Sequence, residues 1–169
     1  SVYFLSDAHL GSWAEQHQRT QERRLVRFLD NIKGKASAIY LLGDMFDFWV
    51  ENKYVVPRGY TRFLGKISEM TDAGVEVHYF IGNHDIWMYG YLEKECGVIV
   101  HKKEESIDIN GKLFFIGHGD GVGKKSTGFA IIRWIFHNRI CQRLFALLHP
   151  DLQLWLGQAW AKHSRMKRP

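Results

Sequence analysis

The chain has 169 residues, 46% of them apolar and 14% aromatic, enough to bury one substantial core and too much for a disordered tail or a repeat array. Its two cysteines, Cys96 and Cys141, lie far apart without CxxC or CxH spacing, so neither a disulfide framework nor a thiolate zinc site is indicated, and a reducing compartment is the default. The net charge of +5 is unevenly placed: residues 1–120 carry 14 basic against 17 acidic side chains, whereas residues 121–169 carry 9 against 1.

The chain opens on an apolar run with no basic stretch and leader-like segment before it, which argues against secretion. Residues 2–6, "VYFLS", have the length of a buried strand. Residues 17–32 then place Leu25, Phe28, Leu29 and Ile32 on one face of a predicted helix. A second strand is predicted at 38–42, a helix at 60–70 with Phe63, Leu64 and Ile67 on its apolar face, and a third strand at 75–81. After "VIVH" at 98–101, Asn110-Gly111 between alternating and apolar runs predicts a β-hairpin. Strands alternating with helices, then a hairpin, predict a layered α/β fold with a mixed sheet.

The polar residues fall at the strand ends. The first strand runs into "SDAHLG", the second into "LGDMFDFW", the third into "IGNHDIW" and the hairpin into "IGHGDG". Four strands thus deliver Asp, Asn or His at their carboxyl ends, where open α/β sheets build their sites. A turn or cap residue explains any one of them, but not the histidines of the whole set. Carboxylate, imidazole and amide oxygen form a ligand set suited to Mn²⁺, Fe or Zn²⁺. Alternation along "DAH" would place Asp7 and His9 on one side of an extended segment, and a carboxylate such as Asp44 can bridge two ions for hydrolysis at a phosphoryl centre. His78 reads as a packed strand residue, and His17 and His101 as surface residues. Trp13, Trp49 and Trp87 read as core, with an apolar wall beside the site as the alternative.

In that order, D-x-H, G-D-x-x-D, G-N-H-D and G-H-G-D resemble the calcineurin-like metallophosphoesterases over residues 2 to about 120. The resemblance implies a layered metallophosphoesterase sandwich, with mixed β-sheets flanked by helices, and two divalent ions, Mn²⁺ first, with Fe or Zn²⁺ as alternatives. It implies Asp7 and His9 on one ion, Asp44 as the bridge, and Asn83 and His118 on the other. His84 would face the phosphate without ligating, oriented by Asp47, while Asp85 and Asp120 fix the loops. The family pattern closes with a further G-H-x-H block that residues 121–169 lack, so the chain is expected to be truncated before it; His137, His149 and His163 do not match that block.

The sequence divides into a core at 1–122 and an apolar, basic helical insertion at 123–169, expected to act as a lid within the same domain. Residues 129–148 mix large apolar side chains with Arg133, Arg139 and Arg143, and their longest unbroken apolar run is far short of a membrane span. Such a segment reads as a helix at a membrane interface, as a cover for acyl chains whose cations face phosphate, or as a helical hairpin packed on the sheet with solvated basic ends. The insertion resembles the lid of UDP-2,3-diacylglucosamine pyrophosphatases of lipid A synthesis. The implied substrate is a UDP-linked diacyl sugar at the cytoplasmic face of the inner membrane, with peripheral attachment, no nucleic-acid partner, and Arg133, Lys162, Arg165 and Lys167 as its cationic contacts. Those pyrophosphatases carry Arg where this chain has His84, so at that position it is similar to the wider superfamily. A phosphoesterase acting on another phosphodiester or nucleotide, or a non-catalytic scaffold, are the alternatives.

Overall fold

A computed structural model of the chain describes residues 1–12, 15–119, 134–135 and 138–166, without the side chains of residues 15, 16, 139 and 164–166. Strands β1 (Val2–Leu5), β2 (Ala38–Leu41), β3 (Glu76–Phe80) and β4 (Ile99–His101) form a parallel sheet in that order. Parallel pairing, with Val2 opposite Ala38 and Ala38 opposite Glu76, requires a crossover between strands. Helices α1 (Glu15–Ile32), α2 (Thr61–Asp72) and α3 (Tyr91–Cys96) supply these crossovers, so all four strands end at the same edge. The short α3 lacks the length to show a helical period and is not evident from the sequence; Gly90 and Gly97, both at positive φ, delimit it.

The pleat divides the core in two. Ile39, Leu41, Val77 and Tyr79 point to the helical side, where they pack with Leu29 and Ile32 of α1 and Phe63, Ile67 and Met70 of α2. Ala38, Tyr40 and Phe80 point to the other side, joined by Ile116 and the partly buried Ile107 and Ile109. The latter come from the hairpin of β5 (Glu105–Ile109) and β6 (Lys112–Ile116), whose turn residues Asn110 and Gly111 have φ of 55° and 77°. Positive φ at both positions matches the twist of the strands, which is why Asn-Gly marks this turn. The layered α/β arrangement agrees with expectation. Among the described residues, parallel and antiparallel pairing are divided between two sheets.

Two expectations about burial change. Phe28 is 41% exposed, its ring edge-on to Tyr3, because Leu25, Leu29 and Ile32 already fill the space between α1 and the sheet. His101 is not a plain surface residue: its ring stacks on Phe80 and its Nε2 lies 3.0 Å from His78 Nδ1. A long-range capping contact joins α1 to α2. Glu22 is buried, and its Oε1 accepts from the backbone N–H groups of Arg62 and Phe63, satisfying the first turn of α2.

Beyond the sheet, α4 (Arg139–Ala146) is capped by the Asn138 side chain, which accepts from Ile140 and Cys141 N–H, and α5 (Pro150–Met166) follows. No described helix is long and apolar enough to cross a membrane.

Candidate metal centre

The strand ends are stitched together before any side chain is considered. Asp7 N donates to Gly43 O, His9 N to Asp44 O, Leu10 N to Met45 O and Asp47 N to Leu10 O, carrying the β1–β2 pairing into the loops. Asp7, His9 and Asp44 sit at φ of 53°, 42° and 52°. Each such non-glycine conformation costs about 1–3 kcal/mol, and it persists because the surrounding hydrogen bonds hold it. The "DAH" segment is therefore not extended as the alternation argument supposed. Its two side chains still meet, His9 Nε2 lying 3.7 Å from Asp7 Oδ1.

The glycines before the polar groups serve a close approach as well as a turn. A Cβ on Gly43, at φ 85°, would lie 2.7 Å from His118 Nδ1 and 2.8 Å from Gly82 N, and one on Gly82 would collide with the Asp44 carboxylate. The buried Asp85 locks these loops together by accepting from Met45 N (3.1 Å), Gly82 N (2.6 Å) and Tyr79 Oη–H (2.5 Å). That is the loop-fixing role foreseen for it. After the polar residues the chain turns back inward: Val50 bridges Trp87, and Phe48, Val50, Ile86 and Trp87 form a separate apolar cluster, while Trp49 is fully buried in the main core.

Asp44 is the centre of the site. It is fully buried, Oδ1 accepts from His84 N at 3.0 Å, and Oδ2 faces three imidazoles: His118 Nε2 at 3.2 Å, His9 Nε2 at 3.9 Å and His84 Nε2 at 4.0 Å. His118 Nδ1 lies 2.7 Å from Leu42 O and His84 Nδ1 2.7 Å from Asp47 O. A ring nitrogen beside a carbonyl must carry the proton, so Nε2 of each ring faces Asp44 as a lone pair when the imidazole is neutral and as a donor when it is protonated. Lone pairs aimed at a carboxylate oxygen repel unless a cation stands between them or a proton is taken up. Asp44 Oδ2 and His9 Nδ1 have no well-formed hydrogen bond among the described residues, which the chemistry of a bound divalent cation would resolve. The donors fit such ions: His9, Asp44 and His84 form one group, and Asp7, Asp44 and His118 another, with ligand atoms within 4.8 Å of each other and Asp44 common to both. This grouping differs from the partition implied by the resemblance, although Asp7 and His9 are also in reach of each other.

The field at the site sets the ionisation of its groups. Burial opposes ionisation of Asp44, but the contact with His118 and the nearby His84 outweigh it and hold the carboxyl below its ordinary range. Burial likewise opposes a charge on His118, and Asp44 reverses this, pushing it up to about 9. Asp85 is pushed up to about 7 by burial first and then by the charge of Asp44, against the pull of its hydrogen-bond donors.

The helical segment after the hairpin touches this centre. Trp160 of α5 lies with its ring 4.8 Å from the His84 ring at 46°, and Gly157 abuts Phe48 so closely that a Cβ there would collide with the ring. Gln153, fully buried, exchanges amide hydrogen bonds with Asn52 at 2.8 and 3.2 Å and donates to Phe145 O at 2.7 Å. Phe48, Trp87, Cys141, Phe145 and Trp160 line an almost wholly apolar cavity of about 250 Å³ beside the cluster.

Of the residues singled out from sequence, Asp7, His9, Asp44, Asp47, His84 and His118 come together; Asp47 Oδ1 lies 3.7 Å from His9 Nδ1. Asn83 is partly exposed on the same turn as His84. Lys162 is exposed, the Arg165 side chain is not described, and Trp13, Asp120, Arg133, His137 and Lys167 lie outside the described residues. His78 is half-buried and stacked on Tyr40, as a packed strand residue should be, and His17 is exposed. Sequence reasoning missed the parts played by Gln153, Gly157 and Trp160. Their i, i+4, i+7 spacing on one helix face was the available signal.

Among proteins of known name, the chain is 45% identical over 165 residues to a UDP-2,3-diacylglucosamine hydrolase of Porphyromonas gingivalis, covering 97% of the chain and 63% of that protein. Proteins of the same name from Neisseria gonorrhoeae and Proteus mirabilis match at 34% over 167 residues and 28% over 162 residues, covering 98% and 96% of the chain. The chain spans 63% to 68% of the length of these three relatives. The sequence profile of the calcineurin-like phosphoesterases matches residues 1–163, which include every residue of the Asp44-centred cluster, and the chain belongs to that family.

Proposed function

We propose that the chain carries the catalytic core of a hydrolase that cleaves the diphosphate bond of UDP-2,3-diacylglucosamine, giving UMP and 2,3-diacylglucosamine 1-phosphate in lipid A biosynthesis. The observation that carries this reading is the apolar cavity set directly against the carboxylate and imidazole cluster, with Trp160 common to both. A substrate with two acyl chains and a diphosphate needs those two surfaces side by side. The names of the relatives point the same way.

In this reading Asp7, His9, Asp44, Asn83 and His118 hold two divalent ions, Mn²⁺ by preference. When bound, the ions supply Lewis acidity at the phosphoryl oxygens and activate water. His84 is 2% exposed and oriented by the Asp47 carbonyl, and in the protonated ring Nε2 donates a proton or a hydrogen bond to a phosphate oxygen as charge develops there. Asp47 steadies His9 from behind through the 3.7 Å contact with Nδ1. Residues 1–122 form the core and 123–169 the lid, where Arg133, Lys162, Arg165 and Lys167 contact the substrate's phosphates. Exposed Trp134, Leu144, Leu147 and Trp155 give α4, α5 and the segment before them an apolar surface for peripheral attachment to the cytoplasmic face of the inner membrane.

The test is release of UMP from UDP-2,3-diacylglucosamine by the Mn²⁺-loaded full-length protein. UMP formation supports the reading. Its absence leaves the family and removes the substrate.

A further inference from the structure

Ala8 stands between two of the candidate metal ligands, and both of its neighbours have left-handed backbone, with φ of 53° at Asp7 and 42° at His9. The peptide that joins Ala8 to His9 is held at both ends. His9 N donates to Asp44 O at 2.9 Å across the strand ends, and Ala8 O accepts from Nε2 of Gln21 on α1. In a trans peptide the N–H and C=O point in opposite directions, so a bond at each fixes the rotation of the whole plane. That rotation sets φ of His9, and with it the direction in which the imidazole leaves the backbone. The amide of Gln21 has one workable orientation, because with its ends exchanged its oxygen would meet the Ala8 carbonyl acceptor to acceptor.

We infer that Gln21 is a positioning residue for metal binding: from α1 it clamps the Ala8–His9 peptide, and so holds the His9 imidazole where it can share an ion with the Asp7 and Asp44 carboxylates. The helix that carries Gln21 is itself anchored. The next residue, Glu22, is buried and accepts from the backbone N–H groups of Arg62 and Phe63 at 3.0 and 3.1 Å. Leu25 and Leu29, one and two turns beyond Gln21 on the same face, pack in the main core. A left-handed conformation outside glycine persists only while its surroundings over-determine it. Without the Gln21 donor the peptide plane turns, φ of His9 relaxes, and Nε2 leaves its place 3.7 Å from Asp7 Oδ1 and 3.9 Å from Asp44 Oδ2. The inference rests on the ligand assignment proposed above and not on the substrate.

The experiment reads metal binding, with no substrate present. Mn²⁺ is titrated calorimetrically into the metal-free full-length protein and into its Gln21→Leu, Gln21→Glu and Ile32→Val variants. Gln21→Leu keeps the bulk and removes the donor, and Gln21→Glu keeps the length but sets a carboxylate oxygen against the Ala8 carbonyl. Each should weaken Mn²⁺ binding by about 10- to 100-fold, the effect of losing a hydrogen bond that orients a metal ligand. Ile32→Val loosens the core packing of α1 without touching the loop, and should leave the affinity unchanged. With Co²⁺ in place of Mn²⁺, the visible spectrum, which follows ligand number and geometry, should change in Gln21→Leu and not in Ile32→Val. Unaltered Mn²⁺ affinity or an unaltered Co²⁺ spectrum in Gln21→Leu, or an equal loss in Ile32→Val, overturns the role of Gln21 while leaving the ligand assignment standing. Failure of the unaltered protein to bind Mn²⁺ overturns the ligand assignment and this role with it. If Gln21→Leu does not fold, the same two readouts on Gln21→Glu decide.

Discussion

Asp44 shows how one side chain can be structural, electrostatic and chemical together. It is fully buried and surrounded by three imidazoles, and its field pushes His118 from an ordinary value of 6.5 up to about 9. Folded His118 therefore binds its proton more tightly than the unfolded chain does. Its contribution to the stability of the metal-free protein is complete below pH 6.5 and is lost as the pH rises through 9. Urea unfolding of metal-free protein across that window should show falling stability. His118→Gln should remove most of that slope, and an unchanged slope would assign it to another group. The residue types and their order were legible because each is carried by a motif of a few residues directly after a strand-like run. What the sequence did not reveal is the left-handed backbone at Asp7, His9 and Asp44, since propensity argues against such conformations and only the cross-strand hydrogen bonds hold them.

At the level of elements, the parallel strands were readable from their apolar runs and the hairpin from Asn110-Gly111, because both signals are local. The relation of α5 to the core was not. Its anchor is an amide pair 101 residues apart in sequence, Gln153 with Asn52, and pairing at that separation leaves no local periodicity. Gln153→Ala removes a fully buried donor and acceptor and leaves both the Asn52 amide and Phe145 O without this partner. The cost should be about 1–3 kcal/mol, felt mainly by the helical segment. Hydrogen exchange should then accelerate across residues 139–166 while the amides of β1 to β3 keep their protection. Uniform acceleration through the sheet would show instead that α5 and the core unfold as one unit.

For the whole molecule, the same cluster makes stability depend on metal. Ions that bind the folded centre and not the unfolded chain add about 2.7 kcal/mol at a free concentration one hundred times the dissociation constant. Mn²⁺ should therefore raise the melting temperature, and a chelator should return it to the metal-free value. Asp44→Asn should fold, fail to respond to Mn²⁺ and lose hydrolysis. A full Mn²⁺ response in that variant would remove Asp44 from the ligand set.

The sequence by itself determined the order of the strands and longer helices, the family, and the residue types brought to the strand ends. Each of these is carried by short-range patterns: apolar runs, turn dipeptides, and motifs of a few residues. Only the tertiary structure decided that Asp44 would lie at the focus of three imidazoles, that Asp85 would tie two motif loops and Tyr79 together, and that Trp160 would cover His84. Those contacts join residues from 6 to 76 positions apart, and their geometry follows from how a twisted parallel sheet sets its strand ends side by side.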